Sequence, residues 1–95
     1  MEREHIDKIL DSLIENLAAV EHERWSHWQR YIHSKGSHQP DGSLLIPAEL
    51  VARWEAQIAT KYADLDEREK DSDREQVRKY LPLIGSALAE SAGRD

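Results

Sequence analysis

The feature that most constrains this sequence is a stripe of apolar residues near its beginning, spaced at alternating intervals of four and three. Such spacing places the side chains on one face of an α-helix. No proline or glycine interrupts the chain before Gly36, so the pattern predicts one long helix over about residues 3–35. The stripe consists of Ile6, Leu10, Leu13, Leu17 and Val20.

Two further helices are predicted after a segment, residues 34–46, that is rich in turn-forming residues. Pro47 suits the first position of a helix that ends near Thr60. Asp66 is placed to cap a third helix, and Pro82 is expected to kink that helix or to end its regular part. The expected fold is all-α, a small bundle of three main helices with a long N-terminal helix and a loop around residues 34–46.

Length and composition predict a single domain over residues 1–95, with a loose tail over residues 85–95. A chain of 95 residues can bury one modest core. Its 39% hydrophobic and 34% charged residues are typical of a globular protein with little apolar surplus. The sequence contains neither a secretion signal nor an apolar run long enough to span a membrane, so we expect a soluble, cytoplasmic protein.

The charge and the spacing of reactive residues exclude several classes of function. A formal charge of -6 disfavours binding to duplex DNA or to an anionic membrane. His22 and His27 are five residues apart, one more than the spacing that puts two zinc ligands on one helical face. The sequence has no cysteine, phosphate-binding loop or nucleophile motif. We therefore expect no metal site, no cofactor and no enzymatic activity.

Charged residues continue the apolar stripes of the first and third helices. The first stripe leads into Glu21–Trp25, and the third helix, followed backwards from Val77, leads into Lys70–Arg74. Two helices that pack their stripes together bring these polar stretches close, and half-buried charges persist only when they are paired. The expected pairs are Arg74 with Glu21 or Glu23, and Arg24 with Asp73.

This predicted cluster allows two interpretations. The first is a salt-bridged layer that fixes the register of the helices. The second is a ligand site, because guanidinium groups bind phosphate or carboxylate in a bidentate manner and exposed rings stack on planar ligands. Trp25 and Tyr62 are the candidate stacking surfaces.

Two segments of the chain resemble the repeat domain named after the ryanodine receptor, in its short stand-alone bacterial and phage form. The first is Glu21–Trp25, which carries E-H-x-R-W on a helix. The second is Tyr62–Arg74, in which a leucine precedes a capped helix that carries E-K-x-x-D-R. The resemblance covers about residues 17–84. The loop over residues 34–43 replaces the Gly-aromatic segment of the receptor repeats.

The resemblance implies a compact helical module rather than an enzyme. Prokaryotic relatives look like components of phage–bacteria conflict systems, which implies a receptor or sponge for a nucleotide-derived messenger in a bacterial cell or a phage-infected host. On matching positions the resemblance points to His22, Arg24, Trp25, Lys70, Asp73 and Arg74.

The predicted function is therefore non-catalytic binding of a small anionic, nucleotide-like ligand. The residues expected to bind it are those six together with Tyr62. The alternative is a helical protein–protein interaction module that forms a homo-oligomer. The contact residues expected for that oligomer are Ile6, Leu10, Leu13 and Leu17.

Overall fold

The computed structural model describes residues 2–93, and helices account for most of them. This confirms the predicted all-α class, although the helices are more numerous and shorter than the sequence pattern indicated. In chain order the elements are α1 (Arg3–Ser12), α2 (Ile14–Lys35), β1 (Ser37–His38), β2 (Leu44–Leu45), α3 (Ala48–Ala59), a 3₁₀ helix (Tyr62–Asp64), α4 (Glu67–Arg78) and α5 (Leu81–Gly93).

The predicted N-terminal helix is interrupted at Leu13, which separates α1 from α2. The Ser12 hydroxyl donates a hydrogen bond to the carbonyl of Ile9 at 2.6 Å, and the Leu13 N–H donates to the carbonyl of Leu10 at 3.1 Å. The backbone bond of Leu13 spans three residues instead of the four of an α-helix, so it tightens the end of α1. The expectation of one unbroken helix over residues 3–35 is therefore wrong.

The predicted third helix is likewise two helices. Asp66 caps α4, because its Oδ1 atom accepts a hydrogen bond from the Glu69 N–H at 2.8 Å. After α4 the chain turns, and Pro82 lies in the first turn of α5, where its missing N–H removes no helical hydrogen bond. The sequence predicted that Pro82 kinks the third helix or ends its regular part, and in the structure α4 ends at Arg78, before the proline is reached. The tail expected from residue 85 is helical as far as Gly93, and residues 94 and 95 lie outside the described part.

The segment predicted as a loop contains a small β-hairpin. In it β1 pairs antiparallel with β2, with Ser37 opposite Leu45 and His38 opposite Leu44. The Asp41 carboxylate closes the turn by accepting hydrogen bonds from the Ser43 N–H and hydroxyl at 2.9 and 2.6 Å, which lowers the pKa of Asp41. Gly42 has a φ of 90°, a conformation that favours glycine. Strands of two residues are too short to show the alternation that would reveal them in the sequence.

The chain divides into two compact units. Unit 1 comprises the described residues up to Arg24 and from Asp73 onwards, and unit 2 is Trp25–Ser72. In unit 1, α1 packs on α5. Among residues 2–93, Ile9 and Leu13 are the only buried large apolar side chains, and both belong to unit 1. The sequence-based expectation of a single domain stays a prediction.

A polar contact also joins α1 to α5. The His5 Nε2 atom lies 2.5 Å from the hydroxyl of Ser91, which is buried. Hydrogen bonding offsets the penalty of taking this hydroxyl out of water. The contact between the two ends of the chain thus combines two apolar side chains with one polar pair.

None of the described helices is both long enough and apolar enough to cross a membrane.

The cap of α4 provides a test of the fold. Replacing Asp66 by alanine leaves the Glu69 N–H without its acceptor, so we expect Asp66→Ala to lower the free energy of unfolding by about 1 kcal/mol. Urea denaturation followed by circular dichroism measures this change. Asp64→Ala, which removes an exposed carboxylate two positions earlier, serves as the control. Equal stability of the two variants would contradict the capping role.

Candidate ligand site

The predicted site residues fall in both units of the structure. Unit 1 contains His22, Arg24, Asp73 and Arg74, and unit 2 contains Trp25, Tyr62 and Lys70.

In unit 1, Arg24 is held by a carboxylate on its own helix. Its Nε and Nη2 atoms donate hydrogen bonds to the two carboxylate oxygens of Glu21, each at 2.7 Å. The Tyr80 hydroxyl donates to the same carboxylate at 2.8 Å. A bidentate contact between guanidinium and carboxylate is a strong, charge-assisted pairing.

These contacts change the ionisation of the three groups. The hydrogen bond from Arg24, followed by that from Tyr80, lowers the pKa of Glu21 to about 2. The hydrogen bond to Glu21 raises the pKa of Arg24 above its ordinary value, and it also raises the pKa of Tyr80. Glu21 therefore stays ionised, and the positive charge of Arg24 is balanced within the protein.

The predicted pairing of Arg24 with Asp73 is wrong. Glu21 lies one helical turn from Arg24 on α2, so it can accept from the guanidinium without any contact between helices. Asp73 is exposed on α4. Arg74 is half-buried and has an interaction partner, and its predicted pairing with Glu21 or Glu23 stays a prediction.

In unit 2, Lys70 lies over the ring of Tyr62. Its Nζ atom is 5.7 Å from the ring centroid and 3.8 Å from the Glu67 carboxylate. The Lys70 side chain is only 17% exposed, so its ammonium is partly withdrawn from solvent and is stabilised by these two neighbours. The two predicted residues Tyr62 and Lys70 do come together, but the lysine covers the face of the tyrosine ring.

Unit 2 also contains an open cleft of about 530 Å³ along the C-terminal half of α2. The volume lies within the range of pockets that bind small molecules. The β-hairpin contributes one residue of the lining, and α2 contributes the others. The lining residues are Trp25, Ser26, Gln29, Arg30, His33, Ser34 and His38.

The chemistry of this cleft differs from that of the chain as a whole. The sequence has 19 acidic residues, yet none of the lining residues is acidic. Arg30 supplies a permanent positive charge, and His33 and His38 supply imidazole nitrogens. Trp25 is 58% exposed, so its indole presents a surface on which a planar group can stack.

Arg30 and Arg24 differ in the availability of their charge. Arg24 and Arg30 both lie on α2, but the guanidinium group of Arg24 is already hydrogen-bonded to the carboxylate of Glu21. Within residues 2–93, no carboxylate forms an ion pair with Arg30. A ligand anion at Arg30 does not have to displace a protein carboxylate, whereas one at Arg24 does.

Of the residues predicted from sequence, the cleft includes Trp25. Sequence reasoning did not single out Arg30 and His33, which line the cleft, although they lie four and seven residues after Ser26 and therefore share its helical face. This spacing is the sequence signal that could have grouped these residues on one face. His38 gave no such signal, because its position depends on the hairpin.

The acidic and histidine side chains of residues 2–93 form no group of three or more that is arranged to hold a metal ion. Comparisons of the chain with protein-family models, with curated proteins and with solved structures gave no match. The resemblance to ryanodine receptor repeats therefore rests on the sequence motifs.

The Glu21 contacts predict a pH dependence of stability. The pKa of Glu21 falls from its ordinary value of 4.5 to about 2 on folding, so its ionised form stabilises the folded state above about pH 4.5. This contribution is lost as the pH falls through about 2. We expect Glu21→Gln to be less stable than the unaltered chain at pH 7 and the difference to shrink steadily towards pH 2.

Denaturation curves recorded between pH 7 and pH 2 measure this difference. Glu23→Gln is the matched control, because it removes a carboxylate from the same helix but none of the three hydrogen bonds to Glu21. The interpretation is contradicted if both variants lose the same stability at every pH.

Proposed function

We propose that this chain is a non-catalytic binding domain that takes a small anionic ligand with a planar ring in the α2 cleft. The observation that carries the proposal is the combination of an exposed indole at Trp25 with the Arg30 guanidinium, which has no carboxylate partner among the described residues. The indole binds the ring of the ligand, and the guanidinium binds its anionic group.

The charge of the protein favours a small ligand over a polyanion. The chain carries a net charge of -6, which repels a large anionic surface at long range. A single phosphate or carboxylate needs only local contacts. Arg30 provides two or more parallel donors for such a group, and the imidazoles of His33 and His38 provide further hydrogen-bonding nitrogens.

A nucleotide meets both requirements of the cleft. Its base is a planar ring for Trp25, and its phosphate is an anion for Arg30. The resemblance to the ryanodine receptor repeat also supports a nucleotide-derived ligand, and we extend the proposal to a receptor or sponge for such a messenger in phage–bacteria conflict. The residues that we propose as ligand contacts line the cleft and differ from the cluster at Arg24 that the sequence predicted. Trp25 belongs to both sets.

A binding experiment on paired variants tests this function. A panel of mononucleotides, cyclic nucleotides and nucleosides is titrated against the protein by calorimetry, and ligand retained during purification is identified by mass spectrometry. We expect Arg30→Ala to weaken binding by about tenfold or more, since it removes a charge-assisted contact. Trp25→Ala is expected to weaken it by about fivefold or more through lost stacking.

Arg53→Ala is the matched control, because Arg53 lies on α3 of the same unit and does not line the cleft. Its affinity should equal that of the unaltered protein. If no anion of the panel binds, or if Arg53→Ala weakens binding as much as Arg30→Ala, the proposed function is wrong.

Exposed apolar side chains in unit 1 favour a second candidate function, self-association with another copy of the chain. Leu10 and Ile14 are 54% and 58% exposed. Leu13 is buried within unit 1, so it is not available for the contact that the sequence pattern suggested. Burying apolar surface against a second copy is favourable, by about 25 cal/mol for each Å² removed from water. Among the described residues of unit 1, the other exposed large apolar side chains are Val77, Leu81 and Leu88.

The oligomeric state in solution tests this second candidate. We expect the unaltered protein to sediment as a dimer at micromolar concentration, and Leu10→Glu or Ile14→Glu to shift it towards the monomer because a charge is then buried at the contact. Leu45→Glu is the control, since Leu45 is 61% exposed in the hairpin of unit 2. A monomeric unaltered protein, or dissociation by Leu45→Glu alone, would refute self-association through unit 1.

A further inference from the structure

Two aromatic rings of unit 2, those of Trp28 and Trp54, neighbour the ring of Tyr31, and we name the three residues the Tyr31 cluster. The ring centroids of Trp28 and Tyr31 are 5.4 Å apart, and those of Tyr31 and Trp54 are 6.4 Å apart. The neighbouring rings are tilted by 48° and 57° against Tyr31. Tilted rings at these distances attract one another and also present ring faces in several directions.

A cation of the protein itself already lies on this cluster. The Nζ atom of Lys35 is 5.4 Å from the centroid of the Tyr31 ring. The distance is within the range of a cation–π contact, in which the negative face of the ring attracts a positive charge. Lys35 is exposed, and so are Trp28 and Tyr31, which shows that solvent reaches both the ammonium and the rings.

The cluster is distinct from the cleft. Successive residues of an α-helix are about 100° apart, so Trp28, Tyr31 and Lys35 share one side of α2. By the same count, Ser26, Arg30 and His33 share the opposite side. The two sets have no residue in common, and their charge preferences are opposite.

We propose that the Tyr31 cluster is a binding site for an alkylammonium group and that Lys35 is an internal occupant that competes with the ligand. The ring faces provide the attraction, and the net charge of -6 favours the approach of a cation. A quaternary ammonium is the best occupant, because its charge is spread over methyl groups that pack against the rings. The lysine ammonium is more strongly hydrated and is therefore easier to displace.

The same ammonium chemistry occurs in a free small molecule such as choline and in a trimethylated lysine of a protein. The experiment therefore uses both forms, choline and the amide of Nα-acetyl-trimethyllysine, and follows tryptophan fluorescence or amide chemical shifts. A neutral compound of the same shape, 3,3-dimethylbutan-1-ol, separates the contribution of the charge from that of the methyl groups. We expect both ammonium ligands to bind, and the neutral compound to bind at least about threefold more weakly.

The competition by Lys35 gives the sharpest test. Lys35→Met should tighten ammonium binding by about two- to fivefold, the factor that corresponds to one exposed cation–π contact. Lys8→Met changes the net charge equally but lies on α1, and it should leave the affinity nearly unchanged. Tyr31→Leu should abolish binding, and circular dichroism of this variant checks that its fold is retained.

The proposal is overturned if the neutral compound binds as tightly as choline, or if Lys35→Met and Lys8→Met have the same effect. Tighter binding of the trimethyllysine amide than of choline would identify a protein side chain as the source of the ammonium, and the reverse would identify a free ligand. Arg30→Ala should leave ammonium binding unchanged. A failure of the proposal for the Tyr31 cluster can therefore be distinguished from a failure of the proposal for the cleft.

Discussion

The packing of α1 on α5 is the interaction on which the rest of unit 1 depends. Ile9 and Leu13 are the large apolar side chains that are buried among the described residues, and the His5–Ser91 contact lies beside the same two helices. Buried apolar area is the main favourable contribution to folding, and here little of it is available. Many apolar and aromatic side chains are therefore exposed, and each of the three proposed binding surfaces includes some of them.

Electrostatics then determines which cations remain available to a ligand. Glu21 occupies Arg24 through both carboxylate oxygens, while Lys70 lies over a ring and near a carboxylate. The Glu21–Arg24 pair is exposed to solvent and Lys70 is largely covered, but both kinds of contact compensate a positive charge before a ligand anion approaches. Arg30, in a lining without acidic residues, carries a charge that no described carboxylate compensates.

The C-terminal half of α2 carries two different chemistries on opposite sides. One side carries Arg30 and the imidazole of His33, and the other carries the rings of Trp28 and Tyr31. A single helix can present both because residues three or four positions apart lie on the same side of it. Residues two positions apart lie on nearly opposite sides. The hairpin completes the first side with His38, and α3 completes the second with Trp54.

The sequence by itself determined the helical class, the cap at Asp66 and the boundary at Pro82, because these depend on periodicity and on contacts within a few residues. It also indicated Trp25 as a ligand contact. Only the tertiary structure decided the break at Leu13, the hairpin that positions His38, and the partner of Arg24. The break and the pairing depend on which of several hydrogen-bonding partners within reach is used, and the position of His38 depends on the pairing of β1 with β2. Spacing along a chain shows which partners are within reach, but the folded geometry selects one of them.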